Sequence, residues 1–174
     1  MSVMAVRRLA LRLTERYAAE GPPIDVGRIA AELGLEVVCA DLGAGVSGLL
    51  VASSQGAQIC VNETDHPKRR RFTIAHEVGH HVLRHQFTPG EHVHVDRGNF
   101  ISQRSPRSAA GVDRKEIEAN QFAAHLLMPD DLVRRHVESL GSLSLVDWQV
   151  AKLAEKFDVS EQAMTIRLTT MGLL

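Results

Sequence analysis

Cysteine is nearly absent from this 174-residue chain. Cys39 and Cys60 are the whole supply, too few to staple a domain of this size, and they point to a reducing compartment. An excess of one charge is missing too. Lys and Arg total 20 against 21 for Asp and Glu, with a pI near 6.8. Net electrostatics therefore gives no steering toward nucleic acid or an anionic membrane. No apolar run approaches 18 residues, so no membrane span is expected. Met1 to Arg8 lacks the apolar stretch of a signal peptide, which agrees with a cytoplasmic protein. Aromatic residues are only 4% of the chain, whereas histidine occurs nine times.

The remaining composition is that of an ordinary globular protein: 44% apolar, 24% charged, mean hydropathy -0.08. A mainly disordered, collagen-like or coiled-coil chain is excluded. The length fits one domain, 1–174, able to bury roughly 70% of the surface that its unfolded chain exposes.

Apolar residues at three- and four-residue spacing predict a helix from Ala5 to Glu20, ended by Gly21-Pro22-Pro23. Asp25 caps a second helix, Val26 to Leu33, and Gly34 stops it. Leu35 to Ala40 reads as a strand, and Val46 to Ala52 with Ala57 to Asn62 reads as a hairpin. Asp65 or His66 then caps a long helix from Pro67 to about His85. Pro89 to about Val112 is irregular. Helices follow from Asp113 to Met128 and from Asp131 to Leu140. A closing pair spans about 144–171, its members capped by Ser144 and Ser160.

His76-Glu77-Val78-Gly79-His80 fits the HExxH pattern inside the long helix. Residues four apart on a helix lie about 40° apart and one turn above each other, so both imidazoles reach one ion. Neutral imidazole suits Zn²⁺. Glu77 flanks the metal and is placed to take a proton from water. Chance alone gives roughly 3% for one such match in a chain this rich in His and Glu.

A zinc peptidase needs three protein ligands and one open position. The Asp113 to Met128 helix offers Glu116 and, as a fallback, Glu118. Glu118, Gln121 and His125 form a polar stripe that reads as the solvent face. Ala119, Phe122, Ala123, Leu126 and Leu127 form the buried face. Glu116 and Asn120 sit together at its edge, one turn apart. Glu116 is thus the better ligand, and Asn120 is placed to orient a ligand from behind. The competing role for Glu116 is a capping box with Asp113, which turns its carboxylate back onto the helix end.

The HExxH segment, followed by Glu116-Ile117-Glu118-Ala119-Asn120-Gln121-Phe122-Ala123-Ala124-His125-Leu126-Leu127-Met128-Pro129, resembles the ImmA/IrrE metallopeptidase family. The second segment is the more specific one. Pro23-Ile24-Asp25-Val26, Gly48-Leu49-Leu50 and Val159-Ser160 to Arg167-Leu168 are similar to the family as well. The resemblance implies an α+β, helix-rich, minimal thermolysin-like (gluzincin) zincin domain, in which a small three-stranded twisted sheet packs on the HExxH helix. It implies an intracellular zinc endopeptidase acting on a helix-turn-helix (XRE-type) repressor in prophage, mobile-element or stress-response control. At 174 residues the chain is expected to have no room for the extra DNA-binding or sensor module that some members carry.

On this reading Zn²⁺ is held by His76, His80 and Glu116, and Glu77 is the general base that later returns its proton to the leaving amine. The candidates for an oxyanion donor are His92, His94, Arg104 and Tyr17. An extended substrate is expected along an exposed hairpin edge near Ser47, Gly48, Leu49, Leu50 and Val51. The alternative is a non-catalytic, zinc-stabilised anti-repressor that binds the repressor without cutting it. Glu77 argues against it, because a structural zinc site has no use for a carboxylate there.

Other features read as structural. His81 and His85, about 140° and 180° around from His76, are expected at the surface. Lys68-Arg69-Arg70-Arg71 reads as a solvated helix face, His136 likewise, and Trp148 as core. The closing helix pair has helix-turn-helix phrasing, but its second helix offers only Arg167 as a basic side chain. No direct DNA binding is expected.

Overall fold

The computed structural model describes residues 1–18, 20–53, 56–85, 93–96, 109–141 and 145–174. Among these run α1 (Val3–Ala18), α2 (Val26–Glu32), β1 (Leu35–Ala40), β2 (Gly48–Ser53), β3 (Gly56–Asn62) and α3 (Pro67–Val82). They are followed by β4 (Val93–Asp96), α4 (Ala109–Leu127), α5 (Asp130–Ser139), α6 (Asp147–Lys156) and α7 (Glu161–Thr170). The result is a helix-rich α+β fold with a small mixed sheet, as the resemblance implies.

Local chemistry explains most boundaries. Asp25 Oδ1 accepts from Arg28 N at 2.9 Å and starts α2. Ser160 Oγ accepts from Ala163 N at 3.1 Å and starts α7. His66 is the cap of α3: its Nδ1 accepts from Lys68 N at 3.2 Å, with Pro67 in the first turn. α4 begins at Ala109, earlier than the expected Asp113, so residue 113 lies inside the helix rather than at its start.

The sheet order is β1-β3-β2-β4. β1 runs parallel to β3, with Val37 opposite Ile59. β2 is antiparallel to both β3 and β4, with Leu50 opposite Ile59 on one side and His94 on the other. The three strands read from the sequence are joined by β4, which lies in the stretch expected to be irregular. This placement corrects one expectation. Ser47 to Val51 is not an exposed edge, because β4 pairs with β2 along Gly48–Val51.

The inner face of the sheet, with Leu50, Ile59 and Val61 buried, packs on α3. At Gly48 the contact leaves no room for a side chain. A Cβ there would lie 2.3 Å from Thr73 Cγ2 on α3 and 3.2 Å from the Cys60 carbonyl oxygen. Gly48→Ala is therefore expected to force β2 off α3 and to cost about 1–3 kcal/mol by overpacking. Thermal unfolding of the two proteins checks this, and an unchanged midpoint would refute the close approach.

On its other side α3 meets α4, where Gly79 lets the helices come together. A Cβ on Gly79 would lie 3.1 Å from the Phe122 ring and 3.3 Å from the Ala119 carbonyl oxygen. α4 is covered on a second face by α1. That packing overturns the reading of Glu118 and His125 as solvent-facing, since both are buried.

The basic run at the start of α3 is a set of clamps rather than a solvated face. Arg69 donates from Nε and Nη2 to Ser47 Oγ, at 3.2 and 3.0 Å. Arg71 donates to the Ile24 carbonyl at 3.0 Å and to the Asp158 carbonyl at 3.2 Å, and pairs with the Asp158 carboxylate at 3.1 Å. These contacts join α3 to the chain before α2 and to the turn between α6 and α7. Trp148, expected in the core, is 62% exposed, because the buried side of α6 consists of Gln149, Val150, Leu153 and Ala154. His136 is half-buried, packed edge-on against Phe157 at 5.5 Å.

Arg167 does not face solvent. Its Nε donates to the Met128 carbonyl at 3.0 Å, and its Nη2 donates to Asp130 Oδ1 beside His125. Arg7 joins the same carboxylate at 3.2 Å. Burial pushes the Asp130 carboxyl up, but Arg167 and Arg7 outweigh it and hold the group below its ordinary value. A depressed folded pKa contributes stability above the unfolded value, near 3.8, that is lost as pH falls through the folded value. Removing one partner of a buried pair costs about 3–5 kcal/mol. Arg167→Leu is expected to destabilise by that order at pH 7 and by clearly less near pH 3. Denaturant unfolding at the two pH values checks this, and an equal loss at both would contradict the ion pair.

Candidate metal centre

α3 and α4 cross so that three side chains meet. His76 and His80, one turn apart, are buried at 3% and 1% exposure. Their Nε2 atoms lie 3.0 Å from each other. Glu116 of α4 brings Oε2 to 3.2 Å from His76 Nε2 and Oε1 to 3.4 Å from His80 Nε2. All three ligand atoms fall within 4.8 Å of one another.

The donor set fits a tetrahedral cation. Ligands about 2.0–2.1 Å from such an ion lie roughly 3.3 Å apart, which is the spacing found. The outward-facing ring nitrogens fit as well. A histidine that gives Nε2 to a metal carries its proton on Nδ1 and needs an acceptor there. His76 Nδ1 lies 2.9 Å from Asn120 Oδ1, and His80 Nδ1 lies 3.0 Å from His85 Nδ1.

Glu77 is fully buried between α3 and the start of β2. The close approach of Gly48 defines that side of it, since a Cβ on Gly48 would lie 3.7 Å from Glu77 Oε1. Sequence position puts Glu77 beside His76. A buried carboxylate one residue along the helix from a candidate ligand is a group suited to proton transfer.

The other expected residues divide. Glu118, the fallback ligand, faces away. Its carboxylate accepts from Arg114 Nε at 3.0 Å, faces His85 Nε2 at 3.3 Å, and meets the N-terminal ammonium of Met1. Burial raises this carboxyl, but those three partners prevail and lower it to about 2. Tyr17 is a core residue whose ring lies 5.2 Å below the Arg28 guanidinium of α2. His94 is in β4, opposite Leu50. His92 and Arg104 lie outside the described residues. Ser47, Gly48, Leu49, Leu50 and Val51 run into a strand flanked on both sides.

Sequence reasoning missed His85. It is no surface residue: its side chain is 6% exposed and bridges His80 and Glu118. Treating the helix as continuous through residue 85 put it on the far side. In fact α3 stops at Val82, and Arg84 has a left-handed backbone (φ 52°) that turns the chain back over the last turn.

A buried HExxH helix, crossed by a glutamate-bearing helix and covered by a small mixed sheet, defines a zincin-like domain. Residues 30–169 match the family described as IrrE N-terminal-like domain, a peptidase family, and the chain belongs to it. It is 26% identical over 160 residues to "Uncharacterized immunity region protein 2" of Bacillus phage phi105, covering 90% of each chain. It is 29% identical over 112 residues to "Radiation response metalloprotease IrrE" of Deinococcus radiodurans, which is 64% of this chain and 30% of that protein. Among solved structures, a "Mycobacterium tuberculosis transcriptional regulator" shares the fold. Its TM-score is 0.59 at 16% identity, covering 97% of this chain and 52% of that one.

Proposed function

We propose that this protein is a zinc-dependent endopeptidase of the cytoplasm that cleaves a helix-turn-helix repressor of the XRE type. The observation that carries the reading is the convergence of His76, His80 and Glu116, with the buried Glu77 following His76 in the sequence. Relatives named as a phage immunity-region protein and a radiation-response metalloprotease support a role in repressor control.

His76, His80 and Glu116 would hold the ion, leaving one position open. When bound, zinc supplies a Lewis acid that activates water and polarises the scissile carbonyl. Glu77 would accept the proton of the attacking water and return it to the leaving amine. Asn120 would fix the His76 ring through Nδ1. With β2 flanked on both sides, an extended substrate would pair instead with the outer side of β4.

The reading of a binding protein that never cuts leaves the burial of Glu77 without a purpose. Burying a carboxylate is costly, and a structural zinc site closes its fourth position with Cys or His. The test is incubation of the purified protein with the repressor encoded beside its gene, with zinc and with chelator. Zinc-dependent fragments are expected. An intact repressor held in a stable complex would establish the binding role instead.

A further inference from the structure

We propose that His85 is a positioning residue for the metal centre, holding the His80 imidazole from behind through Nδ1 and held in turn by Glu118. The inference rests on His76, His80 and Glu116 being the metal ligands and adds a layer to that reading.

The hydrogen-bond chain has one self-consistent proton arrangement. With His80 Nε2 given to the ion, His80 Nδ1 carries the proton and donates it across 3.0 Å to His85 Nδ1. His85 Nδ1 is then an unprotonated acceptor, and the His85 proton sits on Nε2. That atom lies 3.3 Å from Glu118 Oε2, a carboxylate ready to accept. Arg114 holds the same carboxylate through its other oxygen at 3.0 Å. Each ring of the chain is thereby fixed in one tautomer and one orientation. His76 has the corresponding support from Asn120 Oδ1 at 2.9 Å. The two ligands thus have two different props, an amide and an imidazole.

The backbone is shaped to deliver this contact. His85 N donates to the His80 carbonyl at 3.0 Å and Arg84 N to the His81 carbonyl at 3.1 Å, which folds residue 85 back over residue 80. The turn places Arg84 at φ 52°, a conformation that favours glycine, and no glycine is present. The ring it delivers is 6% exposed and edge-on to His80, with centroids 4.9 Å apart. A buried imidazole whose two nitrogens face a metal ligand and a carboxylate matches the outer partner of a metal-bound histidine.

Asn and Leu at position 85 separate hydrogen bonding from packing. They are nearly the same shape, and Asn Oδ1 falls close to the place of histidine Nδ1. Zinc affinity is measured by competition with a chromophoric chelator, beside the visible spectrum of the Co²⁺ form and the melting temperature of the metal-free protein. His85→Leu is expected to weaken zinc by about 10–100-fold and to shift the Co²⁺ bands. His85→Asn is expected to stay within about threefold of wild type with unchanged bands. Equal affinity for all three proteins, or equal losses in both variants, would overturn the proposal. If His85→Leu does not fold, ring ¹⁵N shifts of the zinc-loaded wild type decide. Neutral His85 protonated on Nε2 is expected, and a proton on His85 Nδ1 overturns it. Wild type and His80→Ala are the controls. A wild type that binds no zinc would instead bring down the ligand set on which the inference rests.

Discussion

Glu77→Gln is expected to lower the proposed repressor cleavage by on the order of 10²–10⁴-fold while the proposed zinc stays bound at full stoichiometry. Gln keeps the shape and polarity of the side chain but has no basic oxygen, so only proton transfer is lost, and that step is worth about this factor. The side chain is fully buried, with its Oε1 near Gly48. Single-turnover cleavage with zinc content measured in the same sample separates chemistry from metal loss. Cutting at wild-type rate would assign the base elsewhere. A loss of zinc along with activity would place Glu77 in the support of the site rather than in the reaction.

The second large effect is expected from Glu116→Ala. Glu116 lies close to both Nε2 atoms, so its removal takes one of the three proposed ligands. Zinc affinity should fall by more than about 100-fold, beyond the usual effect of an outer partner. The rise in melting temperature on adding zinc should vanish with it, since stabilisation follows the ratio of free metal to the dissociation constant. Glu118→Ala is the matched control. Its carboxylate belongs to Arg114 and His85, and its loss should cost less than about tenfold. If the two variants exchange these results, Glu118 is the ligand.

The pairing of His76 with His80 was legible because a four-residue spacing on a helix means one face, whatever surrounds it. Glu116 and Asn120 were legible for the same reason, through their place at the margin of an apolar arc. Two neighbours of that arc were misread. Glu118 and His125 look solvent-facing on a helical wheel, yet α1 covers that side of α4, the N-terminal ammonium ahead of it meets Glu118, and Asp130 faces His125. A wheel drawn for one helix cannot show that a second helix lies on its polar stripe.

His85 was misplaced by extrapolating the helical angle beyond Val82. The signal for the reversal is one left-handed residue, and arginine carries no mark of it. The fourth strand was missed because Val93 to Asp96 is four residues long and takes its order from pairing with β2, not from its own pattern. That pairing is also why Ser47 to Val51 is no edge. The basic run Lys68 to Arg71 lacked an explanation until its partners appeared. They come from segments near residues 24, 47 and 158, which no local pattern connects.

X-ray absorption at the zinc edge tests the central claim most directly. The zinc-loaded protein should show a shell of about four N and O atoms at ~2.0–2.1 Å, with the outer scattering of two imidazoles and no sulfur shell near ~2.3 Å. One imidazole should disappear in His80→Ala. A sulfur shell, a third imidazole, or a spectrum unchanged by that substitution would contradict a centre built from His76, His80 and Glu116.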